Sequence, residues 1–231
     1  MQETLGHLEL YRNIAIVISM ALFVIFGISR VIYPKLFVSI YSFGKFLTFK
    51  YRDDFGSGIR LFSTESFYFT AVLSLTLSFS ITCFYLFTPN FQAYLGWYSI
   101  DSLISGLLFW IVLAFGIQFL FFLKYIFIRI FGWLFGLPLE QSRHFLEYQS
   151  MNNSFSIIIY VLISFSVYLN YSFPKSSLSV LGVLVCIYVI FRLINLFFKI
   201  RNLGAYSNLY IFSYLCSTEL IPTLIGLNLF V

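Results

Sequence analysis

Runs of about 20 apolar residues recur along this chain, and they constrain its fold more than any other feature. A helix of about this length crosses the hydrocarbon core of a bilayer. The clearest run, SLISGLLFWIVLAFGIQFLFFLKYIFIRIF at residues 102–131, is long enough to tilt or to project from the membrane. A soluble domain needs a polar surface, but only 10% of the residues here are charged. The sequence therefore predicts an all-α, polytopic transmembrane bundle.

Six such runs together predict one integral-membrane domain over residues 1–231. The predicted spans cover residues 14–33, 67–87, 102–131, 155–173, 178–198 and 206–230. The fourth and fifth spans are joined by a very short turn, so we expect them to form an antiparallel hairpin. No basic segment precedes the first run, so we expect it to remain as a span rather than to be cleaved as a signal peptide.

The distribution of basic residues predicts an orientation, because Lys and Arg concentrate in short cytoplasmic loops. With six spans, 12 of the 14 Lys and Arg residues fall on one side, and only Arg12 and Lys175 fall on the other. Both termini are then expected outside the cytoplasm, which in a bacterium means in the periplasm. The net charge of +5 thus indicates orientation and does not indicate nucleic-acid binding.

The longest connection, residues 34–60, lies on the predicted cytoplasmic side. Leu36, Ile40, Phe43 and Leu47 recur there at helical spacing, with basic and hydroxyl residues between them. An amphipathic helix of this kind lies in the membrane interface and directs its cations to anionic head groups. The candidate head-group contacts are Lys35, Lys45, Lys50 and Arg52. The segment is either a docking surface for lipid or a partner, or a connector that rests on the membrane.

The predicted loop before the fourth span contains LPLEQSRHFLEYQSMNN. On a helix, Glu140, His144 and Glu147 share one face. Two carboxylates and an imidazole have the chemistry to bind a metal or to exchange protons. The alternative is a solvated helix end in which Arg143 pairs with a glutamate. No cofactor is predicted, and the three cysteines lie at unrelated spacings in apolar runs.

Few ionisable groups lie within the predicted spans, where such groups are costly and usually functional. Lys124, Arg129 and Arg192 lie near the predicted cytoplasmic ends, where long side chains can snorkel to the interface. The candidates for interhelical hydrogen bonds are Gln118, Asn195 and Glu65. For Glu65 the alternative is an interfacial carboxylate near a helix N-terminus.

Glu219 is different, because it is an acid deep inside the last predicted span. Counted from residue 206, it lies about 20 Å along the helix, beyond the centre of the bilayer. Pro222 cannot donate a backbone hydrogen bond, so the carbonyl of Thr218 is released. One hypothesis makes Glu219 a proton or cation site, and the other makes it a neutral residue that hydrogen-bonds helices together. Both require it to face the interior of the bundle.

The closing stretch, YIFSYLCSTELIPTLIGLNLF, resembles the C-terminal motif of a Bacteroidota inner-membrane family catalogued as domain of unknown function four-two-seven-one. Tyr214, Leu215, Cys216, Glu219 and Pro222 carry the resemblance, and the order of spans over residues 60–231 is similar. The candidate intramembrane functional residues are Glu219, Pro222, Thr218, Cys216 and Tyr214. The resemblance implies a Gram-negative inner membrane and transfers no activity.

Three classes of function remain open. The first is a non-enzymatic subunit of a membrane assembly in envelope biogenesis or secretion, which fits the lack of a soluble domain or nucleotide motif. The second is a small proton- or cation-coupled transporter centred on Glu219, although the sequence has no internal repeat. The third is a lipid-modifying enzyme, for which no catalytic residue or motif is found. The expected partners are the bilayer, with its anionic head groups, and other membrane proteins.

Overall fold

The described part of the chain consists of α-helices and one π-helical turn. The computed structural model describes residues 2–41, 64–88, 100–136, 140–169, 175–201 and 207–222. The elements are α1 (Gln2–Ile32), α2 (Pro34–Ile40), α3 (Thr64–Phe87), α4 (Leu103–Leu134), α5 (Glu140–Tyr168), α6 (Lys175–Arg201), α7 (Asn208–Leu215) and the π-helical turn π1 (Cys216–Leu220). These ranges contain no strand, so the all-α prediction is confirmed for them.

Five of the described helices are long and apolar enough to cross a membrane. These candidate spans are Leu8–Ile32, Thr64–Phe87, Leu103–Leu134, His144–Tyr168 and Gly182–Arg201. The first, second, third and fifth predicted spans coincide with them, although α1 begins well before its predicted span. The sixth predicted span is described only as far as residue 222, where α7 and π1 occupy it.

The central helix is α3, which packs against α1, α4 and α5. In the apolar stretch of α3 that could cross a membrane, 72% of the residues are buried, against 22% in the corresponding stretch of α4. Its hydroxyl groups donate to carbonyls one turn back in the same helix, as Thr70, Ser74, Thr76, Ser80 and Thr82 all do. These small side chains thereby satisfy their polar groups and let neighbouring helices approach closely.

Direct contacts fix α4 against α3 and α1. The Ser74 hydroxyl lies within hydrogen-bond distance of the Gln118 amide, 2.8 Å from Oε1, and the Trp110 indole N–H donates to the Leu75 carbonyl at 3.0 Å. Gly106 lies against Ile14 of α1, and a Cβ at this glycine would come within 2.6 Å of the Ile14 side chain. The middle of α4 is therefore joined to the core by polar contacts, and its first turns by close packing.

The beginning of α5 corrects the sequence prediction. We predicted a loop before a span at 155–173, but the helix runs from Glu140 to Tyr168. Its first half is polar and nevertheless buried, as at Gln149 and Asn153. The Gln149 amide donates to the Ser66 carbonyl and the Thr70 hydroxyl, both at 2.9 Å. Hydrogen bonds to neighbouring helices replace those to water, so these polar residues lie inside the bundle.

The short helix α2 is attached to the same part of α5. The Ser154 hydroxyl donates to the Ile40 carbonyl at 3.0 Å, and the Tyr41 hydroxyl donates to Asn153 Oδ1 at 3.2 Å. Lys35 is exposed at the start of α2, and its contact with lipid head groups stays a prediction. Lys45, Lys50 and Arg52 lie outside the described residues.

The variant Gln149→Leu should be less stable than the wild type by about 1–2 kcal/mol, because it removes three hydrogen bonds between α5 and α3. Thermal unfolding in detergent measures this change. Ser166→Ala is the control, because the Ser166 hydroxyl donates only to the Leu162 carbonyl within α5. Equal unfolding midpoints for the two variants would contradict the assigned role of Gln149.

Candidate functional site

Charged side chains from four elements meet inside the bundle, where α4, α5, α6 and π1 converge. The acid comes from π1, and one base comes from each of the three helices. We call these four residues the Glu219 cluster: Lys124 of α4, His144 of α5, Arg192 of α6 and Glu219. Elements that are far apart in sequence thus share a single ionic centre.

Both oxygens of the Glu219 carboxylate are bound by bases. Oε1 lies 2.9 Å from Lys124 Nζ and 3.3 Å from His144 Nε2. Oε2 accepts a hydrogen bond from Arg192 Nη2 at 3.0 Å. The side chains of Glu219 and His144 are 0% exposed, and those of Lys124 and Arg192 are 10% and 7% exposed. This geometry fits an ionised, charge-paired carboxylate and does not fit the neutral residue of the second hypothesis.

The local sequence of π1 explains how the turn presents its polar groups. Pro222 lacks the N–H that would bond to the Thr218 carbonyl one turn earlier. The Lys124 ammonium donates to that carbonyl instead. The N–H of Ile221 bonds to the carbonyl of Cys216, five residues back, so the helix is widened just before the proline. Turns of this kind are frequent at functional sites.

His144 connects α5 to both α7 and π1. Its Nδ1 lies 2.7 Å from the Tyr214 hydroxyl, and its Nε2 faces Glu219 Oε1. A neutral imidazole with its proton on Nε2 suits both contacts, because the tyrosine then donates to Nδ1 and the N–H of Nε2 lies beside the carboxylate. Tyr214, His144 and Glu219 therefore form a continuous row of groups in contact, each of which can carry a proton.

Arg192 is held by α5 as well as by the carboxylate. Its Nη1 donates to Asn152 Oδ1 at 3.1 Å, and the same oxygen accepts from the Tyr188 hydroxyl at 2.5 Å. The guanidinium carbon lies 4.7 Å from the centre of the Tyr148 ring, and Lys124 Nζ lies 5.2 Å from it. Both cations are thus placed over one aromatic ring, which stabilises buried positive charge.

A second buried ion pair lies one turn further along α5. Lys199 Nζ donates to Glu147 Oε2 at 2.7 Å, and both side chains are 3% exposed. In these two sites three cations face two carboxylates when His144 is neutral. An unpaired charge is costly in an apolar interior. The carboxylate of Glu219 therefore forms ion pairs with two cations, Lys124 and Arg192.

The prediction that Lys124 and Arg192 snorkel to the interface is wrong. Both side chains turn inward, because a buried carboxylate lies within their reach. Arg129 is exposed. Glu219 lies about 16 Å along the helix from Asn208. It lies at the same level of the bundle as Lys124 and Arg192, which contact it, and its position beyond the centre of the bilayer stays a prediction.

Of the predicted face of Glu140, His144 and Glu147, the two described side chains belong to different sites. His144 contacts Glu219, Glu147 pairs with Lys199, and the side chain of Glu140 lies outside the described part. The solvated-end alternative is also wrong, because His144 and Glu147 are buried. Among the residues that the structure describes, no three His, Cys, Asp or Glu residues are placed to hold a metal ion.

The other candidates are distributed through the bundle and lie outside the Glu219 cluster. Gln118 is bonded to Ser74 across α3 and α4. Asn195 is fully buried on α6, Glu65 is partly buried in the first turn of α3, and Cys216 is partly buried in π1. These positions do not converge on a common centre.

Sequence analysis missed the bases of the cluster as partners of Glu219, although α6 contained a signal. Arg192, Asn195 and Lys199 occur at i, i+3 and i+7, and all three are buried. A polar stripe on an otherwise apolar helix indicates that this face turns inward. Lys124 has no such pattern around it, so its inward direction could not be inferred.

One protein-family model matches nearly the whole chain. A family described as Domain of unknown function (DUF4271) matches residues 15–230. The chain belongs to this family. The match confirms the resemblance inferred from the closing motif and extends it to the first span. Searches among curated proteins and among solved structures give no match. The whole Glu219 cluster lies within the DUF4271 region.

The variant Glu219→Leu should lose about 3–5 kcal/mol of stability, because it leaves Lys124 and Arg192 buried without their counter-charge. Adding Lys124→Leu and Arg192→Leu should restore much of the loss, since apolar replacement of a whole buried ion cluster is often neutral or stabilising. Thermal unfolding in detergent measures both effects.

The control is Glu9→Gln, which changes an exposed carboxylate on α1. A single Glu219→Leu variant as stable as this control would show that the cluster does not hold the helices. A triple variant no more stable than the single variant would show that uncompensated charge is not the cause.

Proposed function

We propose that this DUF4271 chain is a non-enzymatic integral membrane protein and a subunit of a larger membrane assembly. The observation that carries the proposal is the enclosed Glu219 cluster, in which the carboxylate binds bases from three helices. Removing Glu219 leaves the buried cations Lys124 and Arg192 without their counter-charge, so the cluster favours one arrangement of α4, α5, α6 and π1. A fixed scaffold of this kind suits a structural subunit.

The exposed part of α6 supports the presence of a partner. Residues 182–187 are exposed at every position, so nearly two turns of this helix stand away from the described bundle. A helix in a bundle normally buries one stripe. Gly182 has no atom within 4 Å of an added Cβ, which leaves room for another helix to approach. We propose that an apolar helix of another membrane protein packs here.

The proposed location is the inner membrane of a Bacteroidota bacterium, with both termini in the periplasm. The bias of Lys and Arg supports this orientation, and the closing motif supports this origin. Anionic lipid is the proposed contact of Lys35 and of the basic residues that follow it. The proposed role of the assembly is envelope biogenesis or secretion.

Gly182→Phe should abolish co-purification of the partner from native membranes in mild detergent, because the added ring blocks helix contact while the fold has space for it. Gly27→Phe is the matched control, since an added Cβ there also meets no atom within 4 Å. Mass spectrometry should then find a stable partner with the wild type and with Gly27→Phe only. Capture of the same partners by Gly182→Phe would contradict the proposed surface.

The second candidate function is a small proton-coupled transporter centred on Glu219. The row formed by Tyr214, His144 and Glu219 favours it, because each of these groups can pass a proton to the next. The widened turn π1 also favours it, since interrupted helices surround the sites of many transporters. Under this hypothesis the cluster changes its protonation during a cycle.

Proton flux into proteoliposomes distinguishes the two functions. A transporter should conduct, and both Glu219→Gln and Tyr214→Phe should abolish flux, because each interrupts the row. Tyr210→Phe is the control, since Tyr210 lies exposed on the same helix. If the wild type shows no flux, the transporter hypothesis fails. Flux that survives in Tyr214→Phe would exclude the proton row.

A further inference from the structure

A groove between α3 and α4, with Phe145 of α5 in its wall, contains a cavity of about 620 Å³. None of its lining residues belongs to the Glu219 cluster. Cavities of roughly 300–1,000 Å³ with apolar and aromatic walls and a few polar groups are typical of small-molecule sites. The groove has this composition, with six phenylalanines and Tyr125 against four polar residues.

The position of the groove determines how an occupant reaches it. Phe67, Phe115, Phe119 and Phe122 form its rim and are at least half exposed on the outer surface of two candidate spans. An occupant therefore enters from the hydrocarbon of the bilayer rather than from water. Exposed aromatic faces favour a flat ring, because offset stacking adds to the burial of apolar surface.

The polar floor of the groove retains a hydrogen-bond donor on Gln118. Ser66 and Thr70 are already bonded to Gln149 of α5. Within the part of the chain that the structure describes, Gln118 is bonded only to the Ser74 hydroxyl. In either orientation of the Gln118 amide at least one N–H remains without a partner among the described residues, because a single hydroxyl cannot engage both hydrogens. The groove therefore offers a donor to an acceptor on the ligand.

The position of Gln118 along its helix restricts which chemical class of ligand can accept its hydrogen bond. It lies about 22 Å from Leu103 and about 24 Å from Leu134 along the axis of α4. Its partner Ser74 lies about 15 Å from Thr64 and about 20 Å from Phe87 along α3, a helix whose length is close to the roughly 30 Å of the hydrocarbon core, so this donor is central in both helices. A diacyl phospholipid, whose charged head group and ester carbonyls stay at the interface, presents only methylene groups at this depth. An acceptor here requires an uncharged head group that can enter the hydrocarbon.

We propose that this groove binds an isoprenoid quinone. A ring carbonyl accepts the Gln118 N–H, the planar ring lies against the phenylalanines, and the prenyl tail follows the apolar rim. The site is separate from the Glu219 cluster, and the proposal does not depend on the subunit function proposed above.

Photo-crosslinking of the full chain in nanodiscs tests the proposal. The probe is a prenylated naphthoquinone with a diazirine on its tail, and the comparison is a phosphatidylethanolamine with a diazirine on an acyl chain. The quinone probe should label peptides of α3 and α4 at the groove, and excess unlabelled quinone should suppress that labelling. Equal labelling by the phospholipid, with no competition by quinone, would show that ordinary bilayer lipid fills the groove.

Two pairs of variants assign the labelling to named residues. Gln118→Leu should reduce quinone labelling about fivefold, because it removes the donor. Ser74→Ala breaks the same interhelical bond but keeps the amide, so labelling should remain. Phe119→Ala should also reduce labelling, and Phe165→Ala, an equally exposed position on α5, should not.

Each variant is first compared with the wild type by its unfolding midpoint, so that loss of fold is not taken for loss of binding. Unchanged labelling in a folded Gln118→Leu variant overturns the assigned donor. If Gln118→Leu does not fold, the test rests on Phe119→Ala. Unchanged quinone labelling in a folded Phe119→Ala variant overturns the proposed binding site.

Discussion

The carboxylate of Glu219 is the constraint on which this bundle depends. Two cations and an imidazole surround it, and each comes from a different helix. The most distant along the chain is Lys124, which precedes Glu219 by 95 residues. In an apolar interior none of these charges is tolerated alone. The helices are therefore joined by buried ion pairs as well as by apolar packing, which on lipid-facing helices supplies little driving force.

Two faces of α4 carry different chemistry. Gln118, Phe122 and Tyr125 occur at i, i+4 and i+7 and line the groove beside α3. Lys124 projects to another face, where it reaches both the carboxylate of Glu219 and the backbone of π1. Because the two sites share one helix, a movement of α4 that breaks the cluster also changes the shape of the groove. The proline and the π-helical turn provide the released carbonyl that Lys124 uses.

The sequence allowed the architecture to be predicted but not the centre of the site. Apolar runs identify α1, α3, α4 and α6, because a bilayer imposes both length and composition on a span. The start of α5 was missed because Gln149 and its neighbours are polar, and their burial depends on partners on α3. Glu219 was identified because an acid is unusual in an apolar span. The partners of Glu219 were not identified, because the positions of Lys124 and Arg192 in the sequence do not show whether their side chains point into the bundle or toward the interface.

The order of the charged residues along the chain has a consequence for biosynthesis. Arg192 precedes Glu219 by 27 residues, and Lys124 and His144 precede it by more. During translation the bases therefore enter the membrane some seconds before the acid, at about 5–20 residues per second. A nascent bundle without its last helix holds positive charge that nothing in the cluster neutralises. The element that carries Glu219 thus supplies the counter-charge for bases already inserted, and a chain that lacks this element keeps Lys124 and Arg192 unpaired and is a target for the cell's proteases.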